Sequence, residues 1–169
     1  MKFDNNTGTS RVTIRGDGLI STVGDLDVAG DSTSGATLEL TSNSSTQGVI
    51  SWDTFSEFGP RSDILSHSAG VITFDKAGTY MISGILGVNV TNPNDFYLTL
   101  QYEDTSGTDL LSRATTMTGS GLIYGSSSIS YIETVSAATT RRFAWVTVGT
   151  GTTPTILNNT RTQFQIIKL

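Results

Sequence analysis

The chain has 169 residues, 36% hydrophobic and 15% charged, with no cysteine and a net charge of −5. That composition excludes a disulfide-stapled mini-domain and a thiolate metal site, and it fits neither a charge-rich disordered chain nor a membrane-spanning one. Its 10 Lys and Arg residues are scattered, with Arg141-Arg142 as the one adjacent pair, so the phosphate neutralisation that drives nucleic-acid binding is not provided for.

Ser and Thr fill roughly 30% of positions, and 18 Gly stand against only 3 Pro. Thr is β-branched and fits a pleated strand. Gly and Ser fit the tight turns between strands. An all-β chain of many short strands is expected.

Residues 1–45 read as a first region. Met1-Lys2-Phe3-Asp4-Asn5-Asn6 turns polar at once, so no signal peptide is expected, and no apolar run approaches the length of a membrane span. Val12-Thr13-Ile14-Arg15-Gly16-Asp17-Gly18 is echoed by Leu26-Asp27-Val28-Ala29-Gly30-Asp31-Ser32 and more weakly by Leu38-Glu39-Leu40-Thr41-Ser42-Asn43-Ser44. Each unit is apolar-x-apolar followed by a turn of small residues with Asp or Asn. The alternation gives short strands whose apolar face consists of Val12 and Ile14, Leu26 and Val28, or Leu38 and Leu40. Such strands are too thinly apolar to fold alone and need stacking or winding against further copies. An attachment arm or stalk of short β-strands is expected over 1–45; the competing reading is a polar arm with accidental alternation.

Aromatic and long apolar residues appear at strand spacing from Thr46 onward, and a second domain is expected over 46–169. Val49, Ile50, Trp52, Phe55 and Phe58 open it. Val71-Ile72-Thr73-Phe74 reads as a strand, and Asp75-Lys76-Ala77-Gly78 as the turn after it. Over 80–90, Tyr80, Ile82, Gly84, Leu86, Val88 and Val90 share one face; Gly84 and Gly87 predict close approach of another sheet or chain. After the turn Asn92-Pro93-Asn94-Asp95, Phe96, Leu98, Leu100 and Tyr102 alternate cleanly. A turn over 104–108 leads to a return strand at Leu110-Leu111. Further strands are expected near 122–124, 128–135, 142–148 and 162–169, with a long loop at 149–154. No segment has a helical period with caps.

One stretch carries a family resemblance. Phe74-Asp75-Lys76-Ala77-Gly78-Thr79-Tyr80 resembles the Phe-x-x-x-Gly-x-Tyr signature of the C1q/tumour-necrosis-factor-like jelly rolls. Thr162 to Leu169 is similar to the buried last strand of their bacterial and phage members, and the domain length fits. The closing Ser-x-Phe-x-Gly pattern of the animal members is missing around Phe164, which removes their ligands and receptors from what the resemblance implies. What it implies is an antiparallel β-sandwich that packs as a trimer along a threefold axis. Phage fibres and capsid decorations often place short repeated strands before such a head.

Candidate chemistry is sparse. His67 is the lone His, and Asp63-Ile64-Leu65-Ser66-His67-Ser68 contains no nucleophile elbow; a surface His is expected. Asp25, Asp27 and Asp31, and likewise Glu103, Asp104 and Asp109, are weighed as Ca²⁺ ligands, but neither group has a known loop spacing. Solvated turn carboxylates are the plainer reading. Arg15-Gly16-Asp17 matches an integrin tripeptide at a repeat turn and reads as chance, as do the Asn-x-Ser/Thr sites at Asn5, Asn43, Asn89 and Asn158 in so Ser- and Thr-rich a chain. No catalytic, cofactor-binding or metal residue is assigned.

The expected function is a structural virion protein on the virion surface: a homotrimeric capsid decoration, anchored through its arm to the major capsid protein or another virion protein. Val71, Phe74, Tyr80, Ile82, Leu98, Leu100, Phe143, Trp145 and Phe164 are assigned to core or trimer packing. Apolar residues of this kind contribute about 25 cal/mol per Å² buried. The alternative is a fibre tip that recognises a host surface glycan or protein through the loops at 92–95, 104–109 and 149–155. A glycan-acting enzyme would need a paired-carboxylate cleft, which the sequence does not announce. No cofactor, nucleic-acid or membrane partner is expected.

Overall fold

The computed structural model describes residues 2–4, 10–14, 20–22, 33–59, 63–150, 154–158 and 161–169. The chain divides into two compact units, Met1–Ser32 and Thr33–Leu169.

Among its described residues the first unit carries three short strands, β1 (Lys2–Asp4), β2 (Ser10–Ile14) and β3 (Ile20–Thr22). They form one antiparallel sheet in the order β1-β2-β3. Phe3 stands opposite Val12, Val12 opposite Thr22, and Ile14 opposite Ile20. Leu26 and Val28 lie outside the described residues, as do Arg15 to Asp17 and the acidic group at 25, 27 and 31.

The second unit is a sandwich of two antiparallel sheets. Its strands are β4 (Ser34–Glu39), β5 (Gly48–Val49), β6 (Thr54–Phe58), β7 (Leu65–Ser68), β8 (Val71–Phe74), β9 (Gly78–Thr91), β10 (Asn94–Glu103), β11 (Asp109–Met117), β12 (Leu122–Val135), β13 (Thr139–Thr150), β14 (Thr155–Ile156) and β15 (Thr162–Lys168). One sheet runs β11-β10-β13-β8-β7, with β5 on β13; the other runs β12-β9-β15-β4-β6, with β14 on β9. The last strand is therefore central, flanked by β9 and β4.

The boundary between the units falls at 32/33, not at the expected 45/46. Leu38 and Leu40 are core residues of the sandwich and not arm residues. β4 lacks aromatics because it is an interior strand with crowded neighbours. A Cβ at Gly35 would lie 2.2 Å from the Ile166 carbonyl oxygen and 2.8 Å from the Phe58 ring. Small residues here are the price of close packing, not a mark of an arm.

The strands expected at 122–124 and 128–135 are one strand. β12 pairs with β9 without a break from Leu122↔Thr91 to Val135↔Gly78. Gly125-Ser126-Ser127-Ser128 looks like a turn, yet a Cβ at Gly125 would meet the Met117 sulfur at 2.0 Å. Ser127 is buried, and its hydroxyl donates to the Arg113 carbonyl at 3.2 Å. These small residues make room for β11 to lie against β12.

The core is aromatic and lies between the sheets. Phe143 and Phe164 meet at 4.4 Å between ring centroids, and Trp52 sits 5.1 Å from Phe164. Phe164 fills the place of the side chain Gly84 lacks, with a ring carbon 2.3 Å from the missing Cβ. Gly84 thus admits the neighbouring strand's ring, not another sheet or chain. Gly87 admits the Arg161 carbonyl oxygen, 2.6 Å from its Cβ position.

Candidate functional surface

Strand alternation decides which residues reach any surface. Phe74, Tyr80, Ile82, Leu98, Leu100, Phe143, Trp145 and Phe164 are all fully buried. Val71 is different: on β8, Ile72 and Phe74 point inward, so Val71 points outward, is half-buried and stands opposite Arg142. Residues three apart on a strand cannot share a face, so Val71 leaves the core assignment and Ile72 takes its place. The Phe-x-x-x-Gly-x-Tyr stretch closes on itself: Phe74 and Tyr80 meet edge to face at 4.7 Å, and the Tyr80 hydroxyl donates to the Lys76 carbonyl at 2.8 Å.

One polar cluster lies between the sheets. Arg141 of β13 turns inward and reaches Glu133 of β12, its Nε donating to Oε1 at 3.0 Å. Tyr102 of β10 donates its hydroxyl to Glu133 Oε2 at 2.8 Å. Burial first, and then the hydrogen bond to the Glu133 carboxylate, push the Tyr102 phenol well above its ordinary range. Burial works against the Arg141 charge, but the bonds to Glu133 more than offset it and hold the guanidinium above its usual value. With its phenol held neutral and its guanidinium held charged, the cluster acts as a tie between sheets. The sequence marked Arg141 only as half of a basic pair, and Glu133 not at all. The signal was there: two adjacent Arg on a strand face opposite ways, so one must enter the sandwich and find a carboxylate.

The turn carboxylates are engaged locally. Glu103 accepts from Arg142 Nε at 3.1 Å, and Asp109 accepts from the Gln101 amide at 2.9 Å. Asp104 accepts from the Ser106 hydroxyl at 2.6 Å and from the Thr108 N–H at 2.9 Å, which lowers its pKa, the Ser106 bond most. Among the described residues no three acidic or His side chains are grouped to hold a metal ion. His67 is not a plain surface residue. It stacks on Phe55 at 5.7 Å and 16°, and its Nε2 is buried without a hydrogen-bond partner.

The outer face of the β12-β9-β15-β4-β6 sheet carries an exposed apolar row. Along β12, Leu122, Tyr124 and Ile132 are 51%, 56% and 60% exposed, and Ile85 of β9 is also exposed. Two shallow troughs flank Ile85. One of about 260 Å³ is lined by Thr37, Ser83, Gln163 and Gln165. The other, about 330 Å³, is lined by Tyr124, Ser126, Leu157 and Arg161. The Arg161 guanidinium lies 4.9 Å from the Tyr124 ring centroid, within cation–π range. The opposite sheet exposes Val49, Tyr97, Leu110, Val146 and Val148, the last at 68%. Of the predicted binding loops, 151–153 and the side chains of Asn94 and Asp95 lie outside the described residues.

No family model and no curated protein matches the sequence. Solved structures do match the fold. A crystal structure of murine APRIL at pH 8.5 superposes with a TM-score of 0.56 at 11% identity, over 81% of this chain and 99% of that one. A second, of murine APRIL at pH 5.0, gives 0.54 at 10% identity, over 82% and 100%. At such identity the likeness is one of architecture: the sandwich is a TNF-like jelly roll.

Proposed function

We propose that this chain is a structural virion protein, a homotrimeric capsid decoration rather than an enzyme. Its jelly-roll head associates with two further copies through the outer face of the β12-β9-β15-β4-β6 sheet. Its N-terminal unit attaches the trimer to the major capsid protein or another virion protein. The observation that carries self-association is the row Leu122, Tyr124 and Ile132 standing out from β12 beside Ile85. Large apolar side chains gathered on one face mark an interaction surface. A closed ring of three copies covers such a face without leaving an open end. The attachment role is supported by the first unit's being a compact unit of its own, with short strands of three and five residues whose edge backbone groups can pair with a strand of a partner.

A second reading is supported by the trough at Tyr124 and Arg161. An exposed aromatic ring beside a guanidinium is a platform for a sugar, so the face could instead take a host surface glycan. The two readings part at one residue. With trimerisation, Tyr124→Ser shifts the protein toward monomer and leaves its glycan-array signal at background. With glycan recognition, the same change removes a glycan signal and leaves the mass alone. Attachment is tested by removing residues 1–32 and sedimenting the remainder with bare capsids: loss of capsid binding by a folded head is expected, and undiminished binding contradicts the assignment.

A further inference from the structure

β6 and β7 are the outermost strands of their sheets, each paired on one side, β6 to β4 and β7 to β8. A ring stack bridges the two sheets here. Phe55 stands opposite Leu38 in one sheet, His67 opposite Ile72 in the other, and both partners are fully buried. The Phe55–His67 stack therefore faces the interior and closes this side of the sandwich.

The charged groups around it are few among the described residues. β6 contributes Glu57, two residues from Phe55 on the same face, with Oε1 buried and unpartnered. β8 contributes Ile72 and Phe74, and β4 contributes Ala36 and Leu38, none charged. Asp63, which precedes β7, is exposed and paired with Lys76 at 2.9 Å. No ion pair or hydrogen bond reaches His67 Nε2.

A neutral imidazole tolerates this place as an aromatic ring. A protonated one carries a charge and a second N–H, and Nε2–H would point at no acceptor. Burial accordingly holds His67 below its ordinary value of 6.5. The sign follows from linkage. An opened or unfolded state takes up the proton near 6.5, while the closed state resists until lower pH. Closure is fully favoured above that value and weakens as pH falls through it toward the folded pKa.

We propose that the β6–β7 side is an acid-sensitive seam: protonation of His67 breaks the Phe55–His67 stack and releases the edge strands β6 and β7. Release bares the edges of β4 and β8, which can then accept a strand from another chain.

Amide hydrogen exchange on the full chain, corrected for intrinsic rates, tests this at about pH 7.5 and pH 5. Amides of 54–58 and 65–68 are expected to exchange about threefold or more faster at the acid pH, while β9 and β15 keep their protection. His67→Phe, which keeps a ring and loses the titration, is expected to abolish the difference; Glu57→Gln is expected to retain it. No pH difference in the unsubstituted protein, a difference that survives His67→Phe, or one that vanishes in Glu57→Gln overturns the proposal. The ring-proton NMR titration of this single His gives a check that needs no variant. A midpoint below 6.5 is expected, and one at or above it contradicts the proposal.

Discussion

β10 and β12 are long strands of similar apolar content that divide it differently between their two faces. β10 turns Phe96, Leu98, Leu100 and Tyr102 inward, all buried. β12 turns Ile129 and Val135 inward but sends Leu122, Tyr124 and Ile132 out to solvent. Its inward positions include Gly125 and Ser127, kept small by Met117 and β11. A strand whose core side is filled by a neighbour has apolar side chains to spare for its other face. That is how a sandwich complete in itself also leaves large apolar side chains exposed on one face.

The largest expected effects lie on the hidden side. Phe164→Ala should cost about 3–5 kcal/mol, because that ring meets Trp52 and Phe143 and fills the gap over Gly84. Leu100→Ala should cost about 2–5 kcal/mol; denaturant titration of both variants checks this. Glu133→Gln leaves Arg141 without its carboxylate between the sheets and should cost about 2–3 kcal/mol after allowing for partial exposure. Tyr102→Phe, which leaves the ion pair intact, should cost about 1 kcal/mol. A larger loss in Tyr102→Phe than in Glu133→Gln would show that the phenol, not the ion pair, ties β12 to the other sheet. On the exposed side, Ile132→Ser should change the stability of an isolated head by no more than about 0.5 kcal/mol. A loss as large as that of Leu100→Ala would erase the contrast between the strands.

The smallest effects concern turns and pH. Ala69 sits in the left-handed region at φ 49° before Gly70 at φ 81°, where Asn is better suited. Ala69→Asn should raise stability by about 0.5 kcal/mol, read as a higher Tm. Asp53 accepts the N–H of Thr41 at 2.7 Å, and that bond most of all lowers its pKa below 3.8. Its contribution is present above 3.8 and is lost as pH falls through the lower folded value. Acid titration should therefore show a carboxylate phase well below the His67 phase, and Asp53→Asn should weaken only the lower one.

Where one residue type meant one thing, the fold was legible in the sequence. Clean alternation marked β10, and the Phe74–Tyr80 stretch marked the turn into β9. Legibility failed where small residues served packing. Gly35 in β4, and Gly125 and Ser127 in β12, carry the composition of turns because a neighbouring chain segment fills their space. Period-two counting would have replaced Val71 by Ile72 and turned Arg141 inward. The candidate surface was harder to see, since the outward side of β12 differs from a core strand only in what stands on its other face.

Self-association through that face is the central claim, and sedimentation equilibrium of the full chain at micromolar concentration tests it most directly. The predicted mass is three times the 17.9 kDa of one chain, falling toward a single chain in Tyr124→Ser/Ile132→Ser with the head's fold retained. A monomer in the unsubstituted protein, or a trimer indifferent to both changes, would contradict it.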